Sequence, residues 1–471
     1  MRAADTAQAE PTGRPPRAMR LSGPGRLLSG PLAVPSFRLL CIGQLTSTAG
    51  DFCYAVALPW LVLSAHGGPV LLGTVLACYG VPRTVLIPVG GVLTDRLSPR
   101  TVMLAADTVR CVLVAVLAVI AARGLDALAV LGPLAALIGA GEGVFLPASM
   151  AIMPSLLPPE SLQAGNGLSG AMMQVGGFAG PVLGGVLVTV GGSAPAFAVD
   201  AVTFAVSAAT LAAMRLSRSA PVATGTATAG TAAEGTAAEG TAGAESDPDY
   251  EPTATARGAP TSAWGLLRRA RGLQVLLLVS VLANFVISGA FEVALPALAH
   301  ARFGAAGYGA LIACFGIGTL AGTLAAARAG GLRSRATAAG LAFLLGAAAV
   351  TVVPFAGGLP GAAAANLAFG AAAGFGNIIA ITLLQRWAPP HLLGRVMSLV
   401  MLSSLGAFPA AVAIAGVLVR AIGPSPFFPV AGAVFAGVLL LALTQRAFRQ
   451  FGTGSGADAG RKGGLTAGQA A

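Results

Sequence analysis

Residues 91–100 read Gly91-Val-Leu-Thr-Asp95-Arg96-Leu-Ser98-Pro99-Arg100 and stand between two long apolar stretches, about 70–93 and about 101–122. Each stretch has the roughly 20 residues that a helix needs to cross the hydrocarbon core of a bilayer. A charged turn marked by proline between two such runs reads as the short connection of two membrane helices. The same length recurs at about 39–63, 127–148, 168–190, 194–214, 273–298, 306–327, 336–356, 361–384, 396–419 and 427–445, making twelve expected spans. Helix is the expected state, because a membrane barrel needs short strands of alternating polarity. The many Gly and Ala residues inside the spans favour close contact between helices.

Composition agrees with a lipid environment. Only 10% of the 471 residues are charged and 55% are hydrophobic, with 65 Gly; the mean hydropathy is +0.81. A soluble domain carries about a quarter charged residues, so soluble enzyme, DNA-binding module and secreted scaffold are excluded. The net charge of +11 comes from 28 basic and 17 acidic residues. In a soluble protein that balance would suggest nucleic acid. Here the basic residues lie mainly between apolar stretches, and no nucleic-acid partner is expected. Lys462 is the only lysine, so no phosphate-cradling loop with its lysine is present, which argues against an ATP-driven pump. Cys41, Cys53, Cys78, Cys111 and Cys314 lie inside apolar runs without a CxxC pair, and neither a disulfide framework nor a metal site is expected. His66, His300 and His391 fall in loops or at span ends, with no HExxH and no GxSxG, so no enzyme is expected either.

Basic residues also set the expected orientation. The tails and even-numbered connections hold 23 Arg and Lys, while the other connections hold only Arg123, Arg302 and Arg420. By the positive-inside rule both termini are expected in the cytoplasm. Residues 1–37 lack the apolar core of a signal peptide and read as a disordered basic tail. Residues 217–263 are rich in Ala, Thr, Gly and Glu, with a tandem TAAEG at 231–240, and read as a disordered cytoplasmic linker. The linker separates a six-helix bundle at 38–216 from another at 264–446, followed by a disordered tail at 447–471. The halves resemble each other: VALP at 56–59 recurs at 293–296, ACYG at 77–80 as ACFG at 313–316, and GVLV at 185–188 recurs at 416–419. A shared order and a nearly constant offset, 231 to 237, point to a parallel duplication with a site between the halves near mid-membrane.

Gly91, Asp95, Arg96 and Arg100 match the pattern GxxxD(R/K)xG(R/K)(R/K), with Ser98 and Pro99 in place of the second Gly and one basic residue. At these residues the chain resembles the major facilitator superfamily. The resemblance implies that they form a conformational latch stabilising one of two alternating states; plain positive-inside charge would not need Asp95. In the fifth span Gly176, Gly180, Pro181, Gly184 and Gly185 fit GxxxGPxxGG, which resembles the motif of drug–proton antiporters. Glycines at i, i+4 and i+8 give one smooth face for packing, and Pro181 removes a backbone donor. GQLTSTAGDFCYAVALPWLV in the first span, ASMAIMPSLLPPESLQAGNGL before the fifth and GRVMS at 394–398 resemble the bacterial macrolide-efflux and siderophore-exporter branch.

Charges inside a membrane are costly unless they face a cavity or a partner. Asp51 in span one, Arg83 in span two and Glu142 in span four all come near the midplane, and read either as proton or substrate coupling sites or as structural ion pairs. A carboxylate that alternates between apolar and wet surroundings changes its hold on a proton, which is what a proton carrier needs. Glu292, toward the outer half of span seven, is a further candidate for a substrate cation or proton. Asp107 and Arg110 stand one turn apart in span three and are expected to form a local ion pair. Asp200 reads as a shallow, structural hydrogen-bonding group.

The expected protein is therefore a monomeric twelve-helix transporter of the bacterial plasma membrane. It would export a small amphipathic molecule in exchange for protons, with the proton gradient as energy source and no cofactor. The alternatives are an uptake symporter of the same fold or a non-transporting membrane receptor.

Overall fold

The computed structural model describes residues 30–124, 128–214, 271–328, 335–387 and 393–444. Those residues form helices and short turns, with no strand among them. Twelve long helices follow in order: α1 Pro35–Ser64, α2 Gly68–Arg96, α3 Pro99–Ala122, α4 Leu128–Ala151, α5 Pro159–Gly191 and α6 Ser193–Ala213. In the second half α7 runs Arg271–Gly289, passes through a π-helical turn Ala290–Ala294 and continues as Leu295–Arg302. The last five are α8 Gly304–Arg328, α9 Arg335–Val352, α10 Leu359–Trp387, α11 Leu393–Ile422 and α12 Pro424–Thr444. Prolines open α1, α3, α5 and α12, where the first turn has no use for the missing donor. Gly192 and Gly423, at φ of 72° and 86°, end α5 and α11 in the left-handed conformation that glycine accepts.

Eleven of the described helices are long and apolar enough to cross a bilayer. The remaining helix, α1, has 30 residues but carries Gln44, Thr46, Ser47, Thr48 and Asp51 in its middle. The chain is an all-α membrane protein. One boundary differs from the expectation: α1 begins at Pro35, inside the stretch 1–37 read as a tail, after a 3-10 turn at Pro31–Ala33. Phe37 explains this, being fully buried against Leu40, Met153 and Leu157. The linker 217–263, the tail 447–471 and residues 1–29 lie outside the described residues.

Helix pairings repeat with a step of six. In the first half α2 packs on α4, α1 on α5 and α6, and α3 on α6; in the second α8 packs on α10, α7 on α11 and α12, and α9 on α12. The halves meet through α2 with α11 and α5 with α8, and both contacts are made by the same residues of the repeat. A Cβ on Gly185 would meet the Ala305 carbonyl at 2.9 Å and the Cα atoms of Ala306 and Gly309 at 3.2 Å. A Cβ on Gly416 would meet the Pro69 carbonyl at 2.6 Å and the Cα atoms of Val70 and Gly73 at 3.2 and 3.4 Å. Gly416 follows Gly185 by 231 positions, and Ala305, Ala306 and Gly309 follow Pro69, Val70 and Gly73 by 236, the offsets seen in the sequence.

Two buried cores divide the bundle by depth. The larger takes residues from all twelve helices, but only from their ends on one side: Val56–Leu58 and Val62 of α1, Leu72 to Leu76 of α2, Val293–Leu295 of α7 and Val412 to Val419 of α11 are members. That end, called here the far side, contains the α1–α2 connection. The smaller core, with Phe37, Met103, Ala148 and Leu211, belongs to the first half alone and lies at the opposite, arginine-rich end. Among the described residues the halves thus share a buried core only on the far side. On the arginine-rich side no buried core joins them, and the space between the halves on that side is called here the cleft.

Candidate functional site

At mid-depth of the first half, glycines bring helix backbones close enough to set charged side chains against one another. In the run Gly139-Ala-Gly141-Glu142-Gly143 of α4, Gly139 and Gly143 lie against the carbonyls of Tyr79 and Arg83 on α2. The guanidinium of Arg83 meets the Glu142 carboxylate at 3.0 Å. Gly141, on the other face, leaves room for the Arg110 stem, whose Cγ would be 2.8 Å from a Cβ there. Arg83 and Glu142 keep 24% and 20% of their side chains accessible, so the pair borders the cleft.

A second ion pair crosses between helices. Arg110 of α3 donates from Nη2 to Asp51 Oδ1 of α1 at 2.5 Å, and its guanidinium carbon lies 4.2 Å from the centre of the Phe204 ring. The local pair expected between Asp107 and Arg110 does not form. Asp107 instead accepts from Ser207 Oγ of α6 at 2.6 Å. The reason is depth: Arg110 lies about 16 Å along α3 from Pro99, level with the middle of α1, and turns inward rather than along its own helix. Asp200 of α6 is not shallow. Its carboxylate packs on Gly50 of α1, next to Asp51, and it is 1% exposed. Asp107 and Arg110 are buried as deeply, whereas the Asp51 side chain is 42% accessible.

Across the cleft, Glu292 occupies the π turn of α7, within electrostatic reach of Arg83 on α2. A π turn inserts a residue into a helix and is frequent at functional sites. Its neighbour Phe291 packs at a tilt on Phe315 and stacks on Phe369, with ring centres 4.7 and 5.2 Å away. The four candidates Asp51, Arg83, Glu142 and Glu292 therefore come to one level, three from the first half and one from the second. Asn284 ties α7 to α11 through Ser404 at 3.2 Å.

The two motifs have separate placements. Ser98 caps α3 by accepting from the Thr101 backbone N–H at 3.3 Å, and Pro99 takes the first helical position. Arg100 donates from Nε to Leu211 O and from Nη2 to Ala212 O, both at 2.7 Å, and so ties down the last turn of α6. Asp95 and Arg96 are exposed, and no cation lies within ion-pair distance of Asp95 among the described residues. In α5, Gly176, Gly180 and Gly184 lie on Thr48, Phe52 and Cys53 of α1, while Pro181 and Gly185 turn to α8. On the far side the Trp60 ring of α1 packs at a tilt against His300 of α7, 4.8 Å between centres, with Ser64 Oγ 3.4 Å from the His300 ring nitrogen.

Residues 40–335 match the family model for the Major Facilitator Superfamily. The chain belongs to this superfamily. The multidrug efflux pump Tap of Mycobacterium tuberculosis is 30% identical over 189 residues, which is 39% of this chain and 44% of Tap. The chain thus spans less than half of that relative. An uncharacterised MFS-type transporter of Sinorhizobium fredii, y4rN, is 26% identical over 86% of this chain and 94% of its own length. Among solved structures, a bacterial homologue of the iron transporter ferroportin in an inward-facing state superposes with a TM-score of 0.64 at 14% identity, covering 89% of this chain and 99% of that one. The major facilitator fold, with its twelve helices and duplicated halves, makes this chain a multi-pass membrane protein.

Proposed function

We propose that the chain exports a small amphipathic molecule from bacteria by proton antiport, with both termini in the cytoplasm. The observation that carries this reading is the set of ion-paired acids at mid-depth, Asp51 with Arg110 and Glu142 with Arg83, bordering a cleft on the arginine-rich side. Charge of this kind inside a bilayer is retained where it moves ions or substrate. The glycine pattern of α5 and the partial similarity to an efflux pump favour export, and the excess of Arg on one side supports the orientation. In this orientation the structure is the cytoplasm-open state, ready to load. The proton gradient supplies the energy without a cofactor, and the unit that works is a single chain in lipid. Residues 91–100 act as the latch, with Asp95 released in this state.

Ethidium efflux from loaded cells tests the reading. The parent chain is expected to clear the dye faster than control cells, and an uncoupler abolishes the difference. Asp51→Asn or Glu142→Gln lowers the rate about tenfold, a loss within the usual 1–3 kcal/mol of a coupling energy. Efflux that ignores both the uncoupler and both substitutions would overturn proton coupling. Dye accumulation in place of clearance would overturn export.

A further inference from the structure

The first half buries more acid than base. Among the described residues, Asp51, Asp107, Glu142 and Asp200 face only Arg83 and Arg110 at this depth. Arg83 is engaged by Glu142, and Arg110 by Asp51. Two carboxyls are left without a guanidinium, and both are sealed from solvent. Asp107 still accepts a short bond from Ser207, with its other oxygen unpartnered. Asp200 has less. Its Oδ2 has no hydrogen-bond partner, and its Oδ1 has only Thr203 Oγ1 at 3.4 Å, a hydroxyl that points chiefly to the Asp200 backbone carbonyl at 2.7 Å. An isolated carboxylate buried without a cation is too costly to stay charged, and the ordinary remedy is a bound proton. Arg110 has the means to change partner. Its Nε is unpartnered, it is held by the Phe204 face as well as by Asp51, and Asp107 and Asp200 both lie within its electrostatic reach.

We infer that Asp200 is a proton-holding site and that Arg110 is a single counter-ion shared between it and Asp51. This rests on the antiporter reading and adds a residue to it. The structure has Asp51 on Arg110 and 42% accessible, with Asp200 dry; we place the charge on Asp51 and the proton on Asp200 in this arrangement. In the other arrangement the O–H bond of Asp200 has broken and one has formed on Asp51. The electron pair stays on Asp200, and Arg110 follows the negative charge across. The net charge of the cluster is the same in both, and Arg110 stays with the charge in each. The groups facing Asp200 are Asp51, Cys53 and Tyr54 from α1 and Asp107, Arg110 and Cys111 from α3. Tyr54 has a buried hydroxyl without a partner, one turn from Asp51. Asp107 keeps Ser207 in either arrangement.

The test needs no substrate. Infrared absorption by the C=O stretch of a protonated carboxylic acid is compared for purified, full-length parent, Asp200→Asn, Asp107→Asn and Asp51→Asn at neutral pH. Asp200→Asn is expected to remove a component that Asp107→Asn retains. Asp51→Asn is expected to remove the same component although Asp200 is intact, because Arg110 is then free to move to it. Amide absorption identifies folded samples, and Asp200→Glu serves as a second variant in which the component shifts but persists. Absence of any Asp200-dependent component in the parent, or its survival in Asp51→Asn, would overturn the proposal. Ethidium efflux by the parent is scored separately, so a failure of the export reading is told apart from a failure of this one.

Discussion

Arg100 illustrates how a residue of a family pattern can have a purely local task as well. Its two bonds to Leu211 and Ala212 carbonyls satisfy acceptors that the end of α6 leaves open and place a cation at the negative end of that helix. Bonds of this charged, partly exposed kind contribute about 1–2 kcal/mol together. Arg100→Ala should therefore lower the thermal midpoint of the purified protein by a few degrees, and Arg100→Lys should recover only part, lacking the fork that reaches two carbonyls. An unchanged midpoint in Arg100→Ala would remove this role. The positions of Asp51, Arg83 and Glu142 were legible from their depth in apolar runs, since a charge there demands a partner or a cavity. Their partners were not. Periodicity along α3 suggests Asp107 for Arg110, yet Gly141 clears space on α4 for the Arg110 stem and Gly50 clears space on α1 for Asp200. The closest sequence signal was the seven-residue spacing of Asp200 and Ser207, which puts both on the face of α6 that meets α1 and α3.

At the scale of elements, the contacts of α5 with α8 and α2 with α11 are backbone against backbone. No side chain can yield there, so Gly185→Val or Gly416→Val must push the halves apart on the far side. Overpacking of this sort costs about 1–3 kcal/mol, enough to shift the balance between states about 5- to 150-fold. Each variant is expected to raise the labelling of a cysteine at Trp60 by a membrane-impermeant maleimide added outside cells, in a background without the five native cysteines. Labelling equal to that of the glycine parent would show that these glycines do not hold the closure. The number and order of helices were readable from hydropathy, and the repeat offsets of 231 and 236 reappear in these contacts. The π turn at Glu292 was not readable, because an inserted residue leaves the apolar run unbroken.

For the whole molecule, one shared core on the far side and a cleft on the other define the state. Ser64 and His300 come together from the two halves only while that side is closed. A disulfide between Ser64→Cys and His300→Cys should arrest ethidium efflux under oxidising conditions and release it on reduction. Continued efflux by the cross-linked chain would mean that the far side need not open. Duplication and the cleft follow from composition and repeats only as far as the architecture; which end is shut depends on packing of small residues that hydropathy does not distinguish.

The repeated glycine contact has one more consequence. Gly185 on Ala305–Gly309 and Gly416 on Pro69–Gly73 are a single contact used in both directions, with each half supplying one of its two sides. A surface that is its own complement is the requirement for an isologous homodimer. Each six-helix half therefore retains, in its own sequence, the two patches with which two copies of one such unit would pair about a two-fold axis.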